Sequence, residues 1–358
     1  MLTNRTVLSC IQPTGEIHLG NYFGAVQNWV RLQNSGEYRT VYGVVDLHAM
    51  TMPYDPKELR RNTENLVLDL LACGIEPGKS VLFVQSMVPE HAELYWILSC
   101  LTPFGDLMRQ TQFKDKSDQL SERSDEFISA GLFTYPTLQA ADILVYRAGL
   151  VPVGRDQQQH LELARDLARR FNATFGEELF PEPQVLASET PKLRSLAAPD
   201  KKMSKSLGPK HYIGLFEDDS SLRKKIRSAV TDSGDLPPGE LSPGVDNLLS
   251  LMRACGAPEQ AEELAEKYRG GDRMYAPLKE ATAEVVGNFV AQMRERRAAV
   301  QADRKKLLEQ LHEMSDEARD MASQTLKEVR RLTGLPKQYM FFQYPHRKQK
   351  AALADAGG

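Results

Sequence analysis

One histidine, a cluster of lysines and several serines stand in this sequence where they can handle phosphate. Near the start, Gln12-Pro-Thr-Gly-Glu-Ile-His-Leu-Gly-Asn21 follows an apolar run from Val7 to Ile11. It precedes a helical pattern from about Asn21 to Gln33. A Pro-Gly turn joining a buried strand to a helix leaves N–H groups at the helix end that attract an anion. Gln12, Pro13 and Thr14 form that turn. His18 and Asn21 fall in the first helical turn, where a proton donor reaches the same anion. Gly20 leaves room for a flat ligand on the backbone. Such turns are common before helices, so the stretch alone carries little weight. Far downstream, Lys202-Met203-Ser204-Lys205-Ser206 is a lysine/serine loop that alone reads as a solvated surface segment.

Three further places carry polar groups in apolar surroundings. Val41 to Val45 reads as a strand ending in Asp46-Leu-His48, and the ends of parallel strands are where open α/β sheets bind ligands. His48 also fits an ordinary loop histidine. Leu138 to Val145 reads as a helix with Gln139 and Asp142 among apolar neighbours. A buried carboxylate is costly unless a donor meets it. A ligand N–H would serve; the competing reading pairs Asp142 with an arginine such as Arg147. Leu150 to Val153 reads as a short strand ending in Gly154-Arg155-Asp156-Gln157, where glycine permits close approach and Asp156 can accept two hydrogen bonds from a ribose.

The elements that must hold these groups alternate between strand and helix patterns up to about Phe171. Helical stretches run from Asp55 to Cys73, with Pro56 in the first turn, from Glu90 to Cys100 and from His160 to Phe171; Val81 to Val84 reads as a strand. The pattern describes an α/β fold with a Rossmann-like parallel sheet covered by helices. Phe175 to Pro191 is Pro/Glu-rich and marks a boundary. After the Pro/Gly-rich stretch 232–244 the pattern is helical to about Leu332, without a convincing strand. The expected division is a catalytic domain at 1–190, the lysine loop and linker at 191–210, an all-helical domain at 211–333 whose last helix packs back on the first domain, and a tail at 334–358. With 358 residues and a formal charge of −3, the chain is no general polyanion binder. Arg294, Arg296, Arg297, Arg304, Lys305 and Lys306 form a local basic stretch, read either as a solvated face or as an RNA-phosphate contact. Cys10, Cys73, Cys100 and Cys255 match neither a metal knuckle nor a disulfide frame. No apolar stretch is long enough for a membrane span and no signal peptide is visible, so a cytoplasmic location is expected, with neither membrane nor DNA as partner.

Together, His18-Leu-Gly-Asn21 and Lys202-Met-Ser-Lys-Ser206 resemble the two signature motifs of class I aminoacyl-tRNA synthetases. More specific segments resemble the bacterial-type tryptophanyl-tRNA synthetase family: Val45-Asp-Leu-His-Ala-Met-Thr51, Thr111-Gln-Phe-Lys114, Thr134-Tyr-Pro136, Gln139-Ala-Ala-Asp-Ile-Leu-Val-Tyr146 and Val151-Pro-Val-Gly-Arg-Asp-Gln157. The resemblance runs from about residue 5 to about residue 333. It implies ATP-dependent ligation of L-tryptophan to tRNA(Trp) through tryptophanyl-adenylate, with Mg²⁺ on the phosphates and no metal-ligating residues of the chain's own. It implies a homodimer and an anticodon-reading helical domain.

By matching motifs, Asp142 is expected to receive the indole N–H. Leu8, Val151 and Val153 would be pocket walls, and Tyr135, His48, Gln139 and Gln157 amino-acid contacts. Gln12, Gly20, Asn21, Gly154, Asp156 and Leu193, with Pro13, Thr14, Arg155 and residues Lys202 to Ser206, would contact ATP. His18, Asn21, Lys114, Lys202 and Lys205 would carry the catalysis. Gln139 stands where well-known members have methionine, Arg155 where they have glutamate, and Cys10 where they have glycine. The competing readings are a tyrosyl-tRNA synthetase, a catalytically silent tRNA-binding paralogue and a nucleotidyltransferase acting without RNA.

Overall fold

β1 (Thr6–Ile11), β2 (Arg39–Val44), β3 (Ser80–Val84), β4 (Leu150–Val151) and β5 (Gln184–Val185) form one sheet in the order β3-β2-β1-β4-β5, and every pairing is parallel. The computed structural model describes residues 5–110, 128–154, 157–187, 191–232 and 239–336, the side chains of 304–308 excepted. Lys114, Arg155 and Asp156, the polar stretch 117–126 and the tail beyond residue 336 lie outside the described residues. Val81 to Val84 and Thr40 to Val44 are buried on both faces, which is why they read as continuous apolar runs. The strand order reverses between β1 and β4, and open sheets of this kind bind ligands at the carboxyl ends beside that point. The turn at Gln12, the segment from Asp46, Gln85 and Gly154 all follow strand ends.

Helices cover both faces. On one side Trp29, Leu66 and Leu70 share an apolar cluster with Leu193, Met203, Leu248 and Val290. On the other, Val81, Phe83, Leu94, Leu144 and Leu167 share one with Ala318, Ala322, Leu326 and Val329. Helix Arg304–Thr333 thus packs against the sheet. Its small alanines allow close approach, and Ser323 Oγ donates to Glu90 at 2.7 Å. The helical region otherwise comprises Pro243–Ala254, Pro258–Arg269 and the 28-residue Tyr275–Ala302.

Several local expectations change. Helix Ala130–Val145 begins well ahead of the expected Leu138 and carries Pro136 inside it. Asp219–Arg227 is a helix capped by Asp218. β5 was hidden in the Pro/Glu-rich boundary because its two residues are an exposed edge without an apolar pattern. The basic stretch also divides. Arg297 Nε donates to the buried Asp69 carboxylate at 2.6 Å, with Asn65 at 3.2 Å, and its guanidinium lies over Phe216. Arg294 donates to the Glu217 carbonyl at 2.7 Å. Arg297 ties the helical region to the first domain and Arg294 is held within the helical region itself, so the two do not form a free RNA face; Arg296 is exposed.

Candidate active site

The turn after β1 and the lysine loop meet. Gly15 turns with φ +99°, a left-handed conformation that favours glycine. Lys205 Nζ donates to the carbonyls of Thr14 at 3.1 Å and Glu16 at 2.8 Å. Leu19 N–H donates to Ile213 and Leu215 N–H to Ile17, so the chain beyond the loop runs antiparallel to the motif. Met203 is buried, and a Cβ on Gly20 would meet its Cβ at 3.3 Å and the His18 ring at 3.0 Å. The space beside Gly20 is therefore occupied by His18 and Met203. Leu193 is buried, and its carbonyl accepts from Met203 N–H, which fixes the base of the loop. Ser204 and Ser206 hydroxyls lie 2.8 Å apart, and Lys202 is exposed.

His18 caps the first turn reciprocally. Its Nδ1 accepts from Asn21 N–H at 3.2 Å, while its own N–H donates to Asn21 Oδ1 at 3.3 Å. Burial, then the charges of Lys205 and Lys202, push its pKa down to about 4. The imidazole is neutral at physiological pH, and with Nδ1 accepting, the proton sits on Nε2. The site keeps a neutral N–H donor beside two cations.

A second cluster surrounds Asp142. Tyr135, Gln139, Asp142 and Tyr146 recur at helical spacing, so the polar residues of an apolar segment share one stripe. Asp142 Oδ1 accepts from Gln85 Nε2 at 2.8 Å and His91 Nδ1 at 2.6 Å; Oδ2 accepts from His48 Nε2 at 2.8 Å. His91 Nε2 meets Tyr146 Oη at 2.8 Å. Burial would raise the Asp142 pKa, but the hydrogen bonds and charges of His48 and His91 hold it at about 2. The competing arginine pairing does not appear: among the described residues three donors from three elements meet the carboxylate, and Arg147 is not among them. His48 is neither a loop histidine nor free; it lies on the short helix Asp46–Ala49.

Along the same stripe Tyr135 Oη lies 2.9 Å from His160 Nε2, and Gln139 Nε2 donates to Gln157 Oε1 at 3.3 Å. Leu8 and Val151 are buried and Val153 partly so, all in the cluster on that face of the sheet. Cys10 fits there because it pairs with Gly43, where a Cβ would approach its Sγ to 2.8 Å and Phe83 to 2.5 Å. Gly154 follows β4, and Asn21 and Gln12 are partly buried near the first turn. Gln85 and His91 were not expected from the sequence. Gln85 had a signal, since it directly follows a strand end as Asp46 does; His91 had none, being one polar residue in an ordinary helix.

A family model described as "tRNA synthetases class I (W and Y)" matches residues 3–291. The chain is 48% identical over 331 residues to a protein named Tryptophan--tRNA ligase 2 of Streptomyces avermitilis, covering 90% of this chain and 95% of the relative. It is 44% identical to Tryptophan--tRNA ligase of Caldanaerobacter subterraneus subsp. tengcongensis, covering 92% and 98%. Its fold is similar to tryptophanyl-tRNA synthetase of Campylobacter jejuni, solved with ADP and tryptophan, with TM-score 0.79, 34% identity and coverage of 92% and 100%. The enzyme of Mycoplasma pneumoniae gives TM-score 0.81 at 34% identity, covering 93% and 99%.

Proposed function

Because the chain belongs to the class I aminoacyl-tRNA synthetases and is a tryptophan–tRNA ligase, we propose that its two polar clusters divide the first half-reaction between them. The Asp142 cluster takes the tryptophan side chain, with the carboxylate receiving the indole N–H. Leu8, Val151 and Val153 wall the ring, while Tyr135, His48, Gln139 and Gln157 contact the amino acid. The turn at Gln12, Pro13 and Thr14, with Gly20, Asn21, Gly154, Leu193 and the loop from Lys202 to Ser206, takes ATP. Arg155 and Asp156 take the ribose side of the same nucleotide, and Lys114 joins the phosphate contacts. The observation that carries this reading is Lys205 lying against the carbonyls of Thr14 and Glu16, which brings the two distant motifs into one place.

The tryptophan carboxylate, already ionised, attacks the α-phosphorus, so no protein base is needed. Charge builds on the pentavalent phosphorus and on departing pyrophosphate, and prepositioned donors serve both. Lys202 and Lys205 supply cations, His18 its Nε2–H, and the helix start its N–H groups. These groups are cations and N–H donors, which fit phosphate oxygens, so the Mg²⁺ that accompanies ATP would be held by the phosphates. When bound, it neutralises phosphate charge. The 2′-hydroxyl of the tRNA terminal adenosine then attacks the adenylate carbonyl, forming the aminoacyl ester as the acyl–phosphate bond breaks and AMP leaves. The test is amino-acid-dependent pyrophosphate exchange without tRNA, run with tryptophan and tyrosine side by side. Exchange is expected with tryptophan; none above a no-enzyme control would sink the reading.

For the RNA we propose residues 211–333 as the anticodon-reading domain, with Arg296 as a phosphate contact. Arg296→Ala should flatten the salt dependence of tRNA binding by about one unit. Arg297→Ala should instead lower the melting temperature, because it leaves the buried Asp69 unpaired. An unchanged salt slope in Arg296→Ala returns that residue to a solvated face. We further propose a homodimer meeting through the catalytic domain in the cytoplasm. Trp96 and Phe104, each 69% exposed, and Met108 present apolar surface on two successive helices there, where a second copy would cover it.

A further inference from the structure

We infer that His91 is a positioning residue for substrate choice: with Gln85 it fills Oδ1 of Asp142 and leaves Oδ2 as the oxygen that takes the donor of the substrate ring. The inference rests on the reading that Asp142 receives the indole N–H, and it names how that carboxylate is aimed. A carboxylate oxygen accepts about two hydrogen bonds. Among the described residues Oδ1 has two, from Gln85 Nε2 and His91 Nδ1, whereas Oδ2 has the one from His48 Nε2.

His91 is wholly buried, with its ring stacked on Phe83 at 5.2 Å between centroids and 27° between planes. Its far nitrogen, Nε2, lies 2.8 Å from Tyr146 Oη. Burial pushes the Tyr146 phenol well above its ordinary pKa, so it stays protonated and can donate. Donation to Nε2 places the imidazole proton on Nδ1, facing Asp142. Tyr146 thus selects the tautomer, and His91 fixes the rotation of the carboxylate about its own bond. Tyr146 and Asp142 stand four residues apart in sequence, so one backbone segment holds both ends of the relay. A carboxylate free to rotate would accept a donor from several directions. One held at a single oxygen penalises any ligand that leaves the remaining position unpaired.

The probe is 3-(1-benzothiophen-3-yl)alanine, a tryptophan analogue with sulfur in place of the ring N–H. Pyrophosphate-exchange kcat/KM is measured for it and for tryptophan. The wild type is expected to prefer tryptophan by about a hundredfold or more, as sites built around a substrate donor do. His91→Leu is expected to lower the tryptophan value by about tenfold and the analogue value by less than about twofold, narrowing the preference. His91→Asn, which restores an N–H near the Nδ1 position, should recover part of it. Tyr146→Phe, a change of one oxygen that leaves packing intact, should narrow the preference by about threefold in the same direction. Equal losses for both substrates in His91→Leu, or an unchanged preference in Tyr146→Phe, would overturn the inference. Asp142→Ala separates the two levels. If it abolishes the preference while the His91 and Tyr146 variants keep theirs, only the His91 inference falls. If it leaves the preference intact, the Asp142 reading falls and takes the inference with it.

Discussion

Asp142 and Lys205 are both charged groups in the proposed reaction space, yet they are held in different ways. Asp142 is buried and met by three side-chain donors, from the short helix after β2, the end of β3 and helix Glu90–Ser99. Lys205 rests on two main-chain carbonyls, next to a loop whose other lysine is exposed. Burial lowers the Lys205 pKa, and the groups its ammonium donates to are neutral carbonyls. A phosphate would complete it, and the two carbonyl contacts are easily exchanged. On the proposed reading, the carboxylate stays in place and chooses a side chain, while the lysine changes partners as charge develops and leaves.

That contrast predicts different losses on mutation. Lys205→Ala should lower the single-turnover rate of adenylate formation by about a hundredfold, or about 3 kcal/mol, as for other lost transition-state donors. Tryptophan affinity and melting temperature should hardly move. A weaker tryptophan Kd at unchanged rate would mean that the loop serves binding, and the contrast would fail. Asp142→Asn should lower kcat/KM for tryptophan by about tenfold. It should also cost about 2 kcal/mol of stability, because the new amide points donors at groups that donate to the native carboxylate. The variant that loses stability but keeps both kcat/KM and selectivity would make Asp142 purely structural.

The legibility of the two regions differs for the same physical reason. The proposed phosphate side is local in sequence: turn, cap and loop each announce themselves in a few consecutive residues, and both motifs that meet there could be picked out. The fold was legible because the buried strands are apolar runs of ordinary length, although β5, two exposed residues, left no such trace. The carboxylate was legible as a cost, since Asp142 stands among apolar neighbours. Its partners were not, because nothing local to Gln85 or His91 says which element they will meet. The basic stretch misled in the opposite way: Arg294 and Arg297 look like a cationic face until packing sets them against Glu217 and Asp69. Long-range pairing fixes these assignments, and it is not written in spacing.

The effect that is smallest per pH unit separates the two regions by their acid windows. His18 titrates at about 4 in the folded protein, below its ordinary value of 6.5. Its contribution to stability is present above pH 6.5 and is lost as pH falls through about 4. Asp142 titrates at about 2, below its ordinary 3.8. Its contribution is present above pH 4 and is lost on further acidification toward 2. The phosphate side is thus expected to weaken in the first acid window and the carboxylate side in the second. Each proton changes the unfolding free energy by at most about 1.4 kcal/mol per pH unit. The measurement is denaturant unfolding from pH 8 to 2 for wild type, His18→Asn, which keeps a capping side chain, and Asp142→Asn. Subtracting each variant from wild type removes the acid behaviour of Asp69 and the other carboxylates common to all three proteins. The His18 difference should slope only between about pH 6.5 and 4, and the Asp142 difference only between about pH 4 and 2. If both differences slope in one window, the two clusters share a single network and their division of labour is wrong.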